Sequence, residues 1–294
     1  MCDEQTLKDW ARYLKDAPPV SRRKFGALTA GAGLSAALPP IANAQFQPIS
    51  SGTVEVTTPD GIADCYMAHP PDGSHAGVIM WPDILGLRPA FIEMGRRLAL
   101  SGYAVLVVNP FYRSARAPVV PEAATFNDPA VRETVFALAG ELNAETHFTD
   151  ARAFVDYLDA HAAVASDRMI GTMGYCMGGP MIMRTAAARP DRIGAAASFH
   201  GGGLATDAAD SPHLLIPEMS AQFLIAIAGS DDMNDPEAKT TLRESFDAAG
   251  LEAEVEVYAG TQHGWCPPDS TVYHDAQAER AWSRLLVLFE RALA

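Results

Sequence analysis

Met169–Ala188 reads Met-Ile-Gly-Thr-Met-Gly-Tyr-Cys-Met-Gly-Gly-Pro-Met-Ile-Met-Arg-Thr-Ala-Ala-Ala. The run Met169–Tyr175 predicts a buried strand, and Met177–Ala188 predicts a helix of small residues. Between them stands Gly174-Tyr175-Cys176-Met177-Gly178-Gly179. Glycines two before and two after Cys176 let strand and helix pass closely through a strained turn that presents the central side chain. Such a turn sets Cys176 at a helix N-terminus, where the dipole and unbonded N–H groups favour an anion, here a thiolate. The Met177 backbone N–H is then placed to hold a developing oxyanion. The plainer alternative is a structural cysteine packed as a small hydrophobe.

Outward from this turn, short apolar runs alternate with helical patterns, the mark of a mostly parallel sheet covered by helices. Val54–Thr58 and Ala63–His69 flank Pro59-Asp60-Gly61 as an opening hairpin. Strands are predicted at 77–81, 103–108, 193–199, 223–228 and 254–258, with helices at 90–100, 131–140, 147–162, 236–249 and 276–292. Residues 114–130 are rich in Ala and Pro and lack periodicity, which predicts a surface loop or lid. No internal repeat or second core is visible, so 45–294 is expected to form one α/β domain of about 7–8 strands.

Two later turns carry the residues that could serve Cys176. Gly229-Ser230-Asp231-Asp232 follows one predicted strand, and Ala259-Gly260-Thr261-Gln262-His263-Gly264 follows another. Nucleophile, acid and histidine thus fall in chain order, each at a strand C-terminal end where open α/β sheets build their sites. His263 is expected to hold the thiolate and protonate a leaving group, with Asp232 orienting it. Asp231 and Asp235 are the alternatives to Asp232. His200, also after a strand, reads as a pocket-lining or core histidine.

At these residues the chain resembles the dienelactone hydrolase (carboxymethylenebutenolidase) family of the α/β-hydrolase fold, over roughly residues 54–290. A further matching stretch is Trp81-Pro82-Asp83-Ile84-Leu85-Gly86. The resemblance implies cleavage of an ester or lactone through Cys176, His263 and Asp232, without metal or other cofactor. It implies an oxyanion hole from the backbone of Ile84 and Met177. In the family a glutamate at position 83 contacts the cysteine; the shorter Asp83 here is expected to act as a thiol switch, disfavouring the thiolate by like-charge repulsion until substrate arrives. The family holds a substrate carboxylate with two arginines. Arg113 or Arg116 is expected to supply one, while the other position is Pro267. Tyr112, Trp265 and Phe111 are expected to wall the pocket.

The 294 residues carry a net charge of −14, and residues 45–294 hold 16 Lys/Arg against 32 Asp/Glu. So acidic a surface repels phosphate backbones and anionic lipid, which argues against nucleic-acid partners. Ser21-Arg22-Arg23-Lys24-Phe25, the apolar stretch 26–38 and Ala42-Asn43-Ala44 follow the order of a twin-arginine-like export signal. Residues 1–44 are therefore expected to be removed after Ala44 and the remainder to reside in a bacterial periplasm. The apolar stretch is shorter than the roughly 20 residues a spanning helix needs, so no stable membrane anchoring is expected. The partner is expected to be a small-molecule ester or lactone, and the protein a monomer or small homo-oligomer. In another class, a non-catalytic or thiol-redox binding protein on the same fold is the alternative, with Cys65 and Cys266 conceivable as a pair. A serine peptidase is disfavoured because no Gly-x-Ser-x-Gly occurs.

Overall fold

The hairpin β1 (Ser50–Thr58) and β2 (Gly61–His69) forms one edge of an eight-stranded sheet. The structure is a computed structural model that describes residues 49–121 and 124–294, so the expected export signal at 1–44 lies outside the described residues. The other strands are β3 (Gly77–Trp81), β4 (Ala104–Val107), β5 (Ile170–Tyr175), β6 (Ile193–Phe199), β7 (Gln222–Ala228) and β8 (Ala253–Tyr258). Their order is β1-β2-β4-β3-β5-β6-β7-β8. Both β2 pairings are antiparallel, and every pairing from β4 through β8 is parallel. This is the α/β-hydrolase fold.

Continuous apolar runs follow from the parallel arrangement, because central strands are covered on both faces. Alternation along each strand divides the side chains between two cores. Val78 and Met80 of β3 join the core covered by α1 (Pro89–Leu100) and α7 (Asp275–Ala292), through Phe91, Leu98, Leu285 and Phe289. Ile79 and Trp81 join the opposite core, covered by α3 (Ala144–Ala160), α4 (Gly178–Ala188) and α6 (Ala238–Ala249). Fully burying one such Leu or Phe side chain is worth about 1.5–3 kcal/mol, so the two layers fix the strand register.

Two elements were not expected from the sequence. The acidic turn after β7 is a short helix, α5 (Gly229–Asn234), and Pro212–Glu218 forms a 3-10 helix. Within the expected lid, α2 (Pro129–Ala139) begins at a capped Asp128, whose side chain accepts from the Ala130 N–H at 2.9 Å. A third apolar cluster lies here. Val120, Val131 and Val135 pack with Ile84, and Val119, Phe126, Phe136 and Met177 flank them.

Candidate active site

Cys176 has φ 51° and His200 has φ 42°, the two described non-glycine residues in the left-handed region. Such a backbone costs an L-residue about 1–2 kcal/mol and persists only where its surroundings hold it. For Cys176 the glycines on either side explain how the turn closes. A Cβ on Gly174 would lie 2.3 Å from the Gly178 carbonyl oxygen, and one on Gly178 would lie 2.7 Å from that of Trp81. The Cys176 N–H donates to Phe199 O at 3.1 Å, and Gly179 N–H returns a bond to Cys176 O at 3.0 Å. Strand, turn and helix are thereby locked at the C-terminal end of β5.

The close approach of Gly178 to Trp81 brings the α4 N-terminus against the turn after β3. Neither the Ile84 N–H nor the Met177 N–H finds an acceptor among the described residues. The side chains of Ile84 and Met177 sit in the same apolar cluster beneath α2.

The Cys176 thiol is buried, at 6% exposure, and its Sγ lies 3.0 Å from His263 Nε2. His263 Nδ1 lies 2.9 Å from Asp231 Oδ2. The carboxylate on the imidazole is thus Asp231 and not the expected Asp232, which forms an ion pair with Lys239. The reason is α5: successive residues of a helix point about 100° apart, so only one of two adjacent acids can face the histidine. The His263 turn is laced to α5 by polar groups that sequence reasoning missed. Ser230 Oγ accepts from the His263 N–H at 2.9 Å, and Thr261 Oγ1 accepts from the Gly229 N–H at 3.1 Å. Ser and Thr in turns are the signal that pointed to them.

The carboxylate of Asp83, the expected thiol switch, is turned to Arg88. It accepts from Arg88 Nη1 at 2.6 Å and Nη2 at 2.9 Å, and its Oδ1 also accepts from the Leu85 N–H. Arg88 in turn donates from Nε to Asp269 at 2.7 Å. Burial opposes the charge on Arg88, but the carboxylates of Asp83 and Asp269 outweigh it and hold the guanidinium above its ordinary range. A bidentate pair is the stronger competitor for a carboxylate than a neutral thiol.

The expected substrate-binding residues are engaged elsewhere. Arg113 is paired with the buried Asp150 and with Asp60 of the β1–β2 turn, and Arg116 is paired with Glu55 of β1. The Tyr112 hydroxyl donates to Asp150 and bonds Thr58. Burial and the Asp150 carboxylate push that phenol upward from its usual range. Trp265 is fully buried and stacks on Tyr258 at 4.8 Å, so it is core rather than pocket wall, as is Phe111. Cys65, Cys176 and Cys266 are free thiols, so Cys65 and Cys266 do not pair. Burial pushes the Cys65 thiol up to about 12 and Cys266 well above its usual value.

His200 lies directly beneath this arrangement. Its ring is fully buried, 5.1 Å from the His263 ring and nearly perpendicular to it at 70°. Burial, followed by the proximity of His263, holds its pKa well below the ordinary histidine value.

A thiol hydrogen-bonded to an imidazole, itself oriented by a carboxylate, has the groups needed for nucleophilic attack and proton transfer. The chain is 25% identical over 224 residues to carboxymethylenebutenolidase from Rhodococcus opacus, covering 75% of this chain and 83% of that one. Its fold matches a dienelactone hydrolase-like promiscuous phosphotriesterase from metagenomic libraries at TM-score 0.68 and 20% identity, covering 84% and 99% of the two chains. It also matches dienelactone hydrolase from Anabaena variabilis at TM-score 0.59 and 15% identity, with 84% and 99% covered. Residues 63–293 match the family described as dienelactone hydrolase, and the chain is a hydrolase that belongs to that family.

Proposed function

We propose that the protein cleaves a carboxylic ester or lactone through Cys176, with His263 as acid and base and Asp231 as its orienter. The observation that carries this reading is the 3.0 Å contact between Cys176 Sγ and His263 Nε2 at a left-handed strand-to-helix turn. Asp231 on Nδ1 fixes the tautomer, so that Nε2 faces the thiol and can take its proton. Sγ adds to the carbonyl carbon, and the N–H groups of Ile84 and Met177 receive the charge on the former carbonyl oxygen. The tetrahedral species collapses as the C–O bond to the leaving alcohol breaks and His263 returns its proton to that oxygen. For a lactone the alcohol stays tethered to the acyl group. Water then loses a proton to His263 and attacks the thioester, the C–S bond breaks, and the acid departs as the thiol is restored.

The substrate is neutral near the carbonyl. Supporting this are the arginines Arg88, Arg113 and Arg116, all held by acidic partners, and Pro267 where a clamp arginine is expected. Arg132 of α2 donates to the carbonyls of Phe126 and Asn127. The cap over Ile84 and Met177 is otherwise apolar, which suits an acyl or alkoxy group without charge. We further propose export to the periplasm, resting on residues 21–44; secreted protein that begins at Gln45 is the expected finding, and retention of residues 1–44 overturns it.

Hydrolysis of p-nitrophenyl butyrate tests the chemistry. Iodoacetamide and Cys176→Ala are each expected to abolish it, and Cys176→Ser to leave little. Full activity in Cys176→Ala overturns the reading, and a disulfide engaging Cys176 on mass spectrometry favours a thiol-redox role instead. For the substrate, p-nitrophenyl butyrate is expected to be preferred over p-nitrophenyl hemisuccinate by at least about tenfold in kcat/KM, the worth of one unmatched charge. Equal or better turnover of the anionic ester overturns that part.

A further inference from the structure

The turn after β6 touches both members of the thiol–imidazole pair. The backbone here clasps the cysteine: the Cys176 N–H donates to O of Phe199, the last residue of β6, at 3.1 Å, and the Gly202 N–H of the turn points back at Cys176 O at 3.4 Å. The turn's one large side chain meets the base, the His200 ring standing 5.1 Å from that of His263. Tyr175 at 6.0 Å and Trp265 at 6.4 Å also surround His200. The turn is anchored to the sheet, because the His200 N–H donates to Ala226 O at 2.8 Å. Both ring nitrogens are buried without a hydrogen-bond partner among the described residues. A residue kept in a left-handed backbone, with its polar atoms buried and unpaired, is a poor choice for packing alone. Among aromatic side chains, histidine is the one enriched in that backbone region.

We propose that His200 is a positioning residue, whose aromatic ring and left-handed backbone together set the separation of Cys176 and His263. The backbone half holds the turn that clasps Cys176. The ring half is the floor on which the His263 imidazole stands edge to face. The proposal rests on the Cys176 hydrolase reading, and it predicts a double dissociation. Removing the ring while keeping an easy left-handed backbone loosens the pair; keeping a ring while straining the backbone weakens the fold.

The test uses the full-length protein and two readouts: thermal unfolding, and the pH dependence of Cys176 alkylation by iodoacetamide, followed by peptide mass spectrometry. His200→Asn, which tolerates the left-handed region, is expected to keep Tm within a few degrees. Its kcat is expected to fall about 10- to 100-fold with KM within about threefold, the scale of a misplaced catalytic group. Its alkylation midpoint is expected to rise by about one pH unit as the imidazolium partner recedes. His200→Phe is expected to keep the alkylation midpoint within about 0.3 unit while losing several degrees of Tm to backbone strain. His200→Gly repeats the Asn arm with no strain at all. A wild-type kcat and alkylation profile in His200→Asn or His200→Gly overturns the proposal. So does a shift in His200→Phe as large as in His200→Asn, because the ring would then not be the acting part. Hydrolysis surviving in Cys176→Ala refutes the hydrolase reading alone, since alkylation reports the thiol–imidazole pair without any ester.

Discussion

Asp231 Oδ2 stands 2.9 Å from His263 Nδ1, and the adjacent Asp232 is turned to Lys239. One step along a short helix therefore separates an acid that orients the base from an acid that braces the surface. Asp231→Asn is expected to lower kcat/KM by about 10²–10⁴-fold, because the amide offers the wrong partner to the imidazole. Asp232→Asn is expected to stay within about threefold of wild type. Steady-state hydrolysis of p-nitrophenyl butyrate by the two variants reverses the assignment if Asp232→Asn is the damaged one.

Arg88 joins Asp83, beside the Ile84 N–H, to Asp269, six residues beyond His263. Arg88→Met leaves two carboxylates without their cation, one of them largely buried. It is expected to lower stability by about 2–4 kcal/mol, read by urea unfolding. Asp83→Asn is expected to leave the pH profile of Cys176 alkylation in place, since the carboxylate faces Arg88 and not the thiol. A profile moved toward lower pH in that variant restores Asp83 as a thiol switch.

Two buried histidines resist protonation in the folded chain. His147 is lowered to about 3 by burial, with the neighbouring charges of Arg184 and Arg113 adding to it. His200 is lowered well below its usual value by burial and by His263. In the unfolded chain both take up a proton near pH 6.5, while the folded chain resists, so the unfolded state binds more protons below that pH. The His147 contribution is complete above pH 6.5 and is lost as pH falls toward 3, and that of His200 likewise declines below pH 6.5. Each is expected to remove up to about 1.4 kcal/mol per pH unit in that window. Urea unfolding at pH 7 and pH 5 checks this, and His147→Gln is expected to flatten the difference. Equal slopes in wild type and variant contradict it.

Gly178 is held where its missing side chain would enter the Trp81 carbonyl. Gly178→Ala is expected to cost about 1–3 kcal/mol through overpacking and to push the α4 N-terminus away from Ile84. Both stability and kcat fall together in this variant; a loss of neither in unfolding and hydrolysis assays shows the contact to be soft.

By itself the sequence carried the fold, because periodicity and glycine spacing are local. The alternation of apolar runs and helices, the turn around Cys176 and the order of the Asp and His loops are all written in contiguous residues. What it left open was any choice between neighbours whose partners lie far along the chain. Asp231 and Asp232 are equivalent until α5 forms and turns one of them toward a histidine 32 residues away. Arg113, Arg116, Tyr112 and Trp265 carry pocket chemistry as residue types, yet their carboxylate and ring partners come from other elements and hold them elsewhere. Asp83 met Arg88 only five residues on, but the pair is completed by Asp269 across the site. His200 reads as a pocket-lining or core histidine in one dimension, and only the tertiary fold, which brings the turn after β8 to the turn after β6, sets its ring 5.1 Å from that of His263. Local pattern decided the strands and the longer helices; long-range complementarity of charge and shape decided which side chain does what.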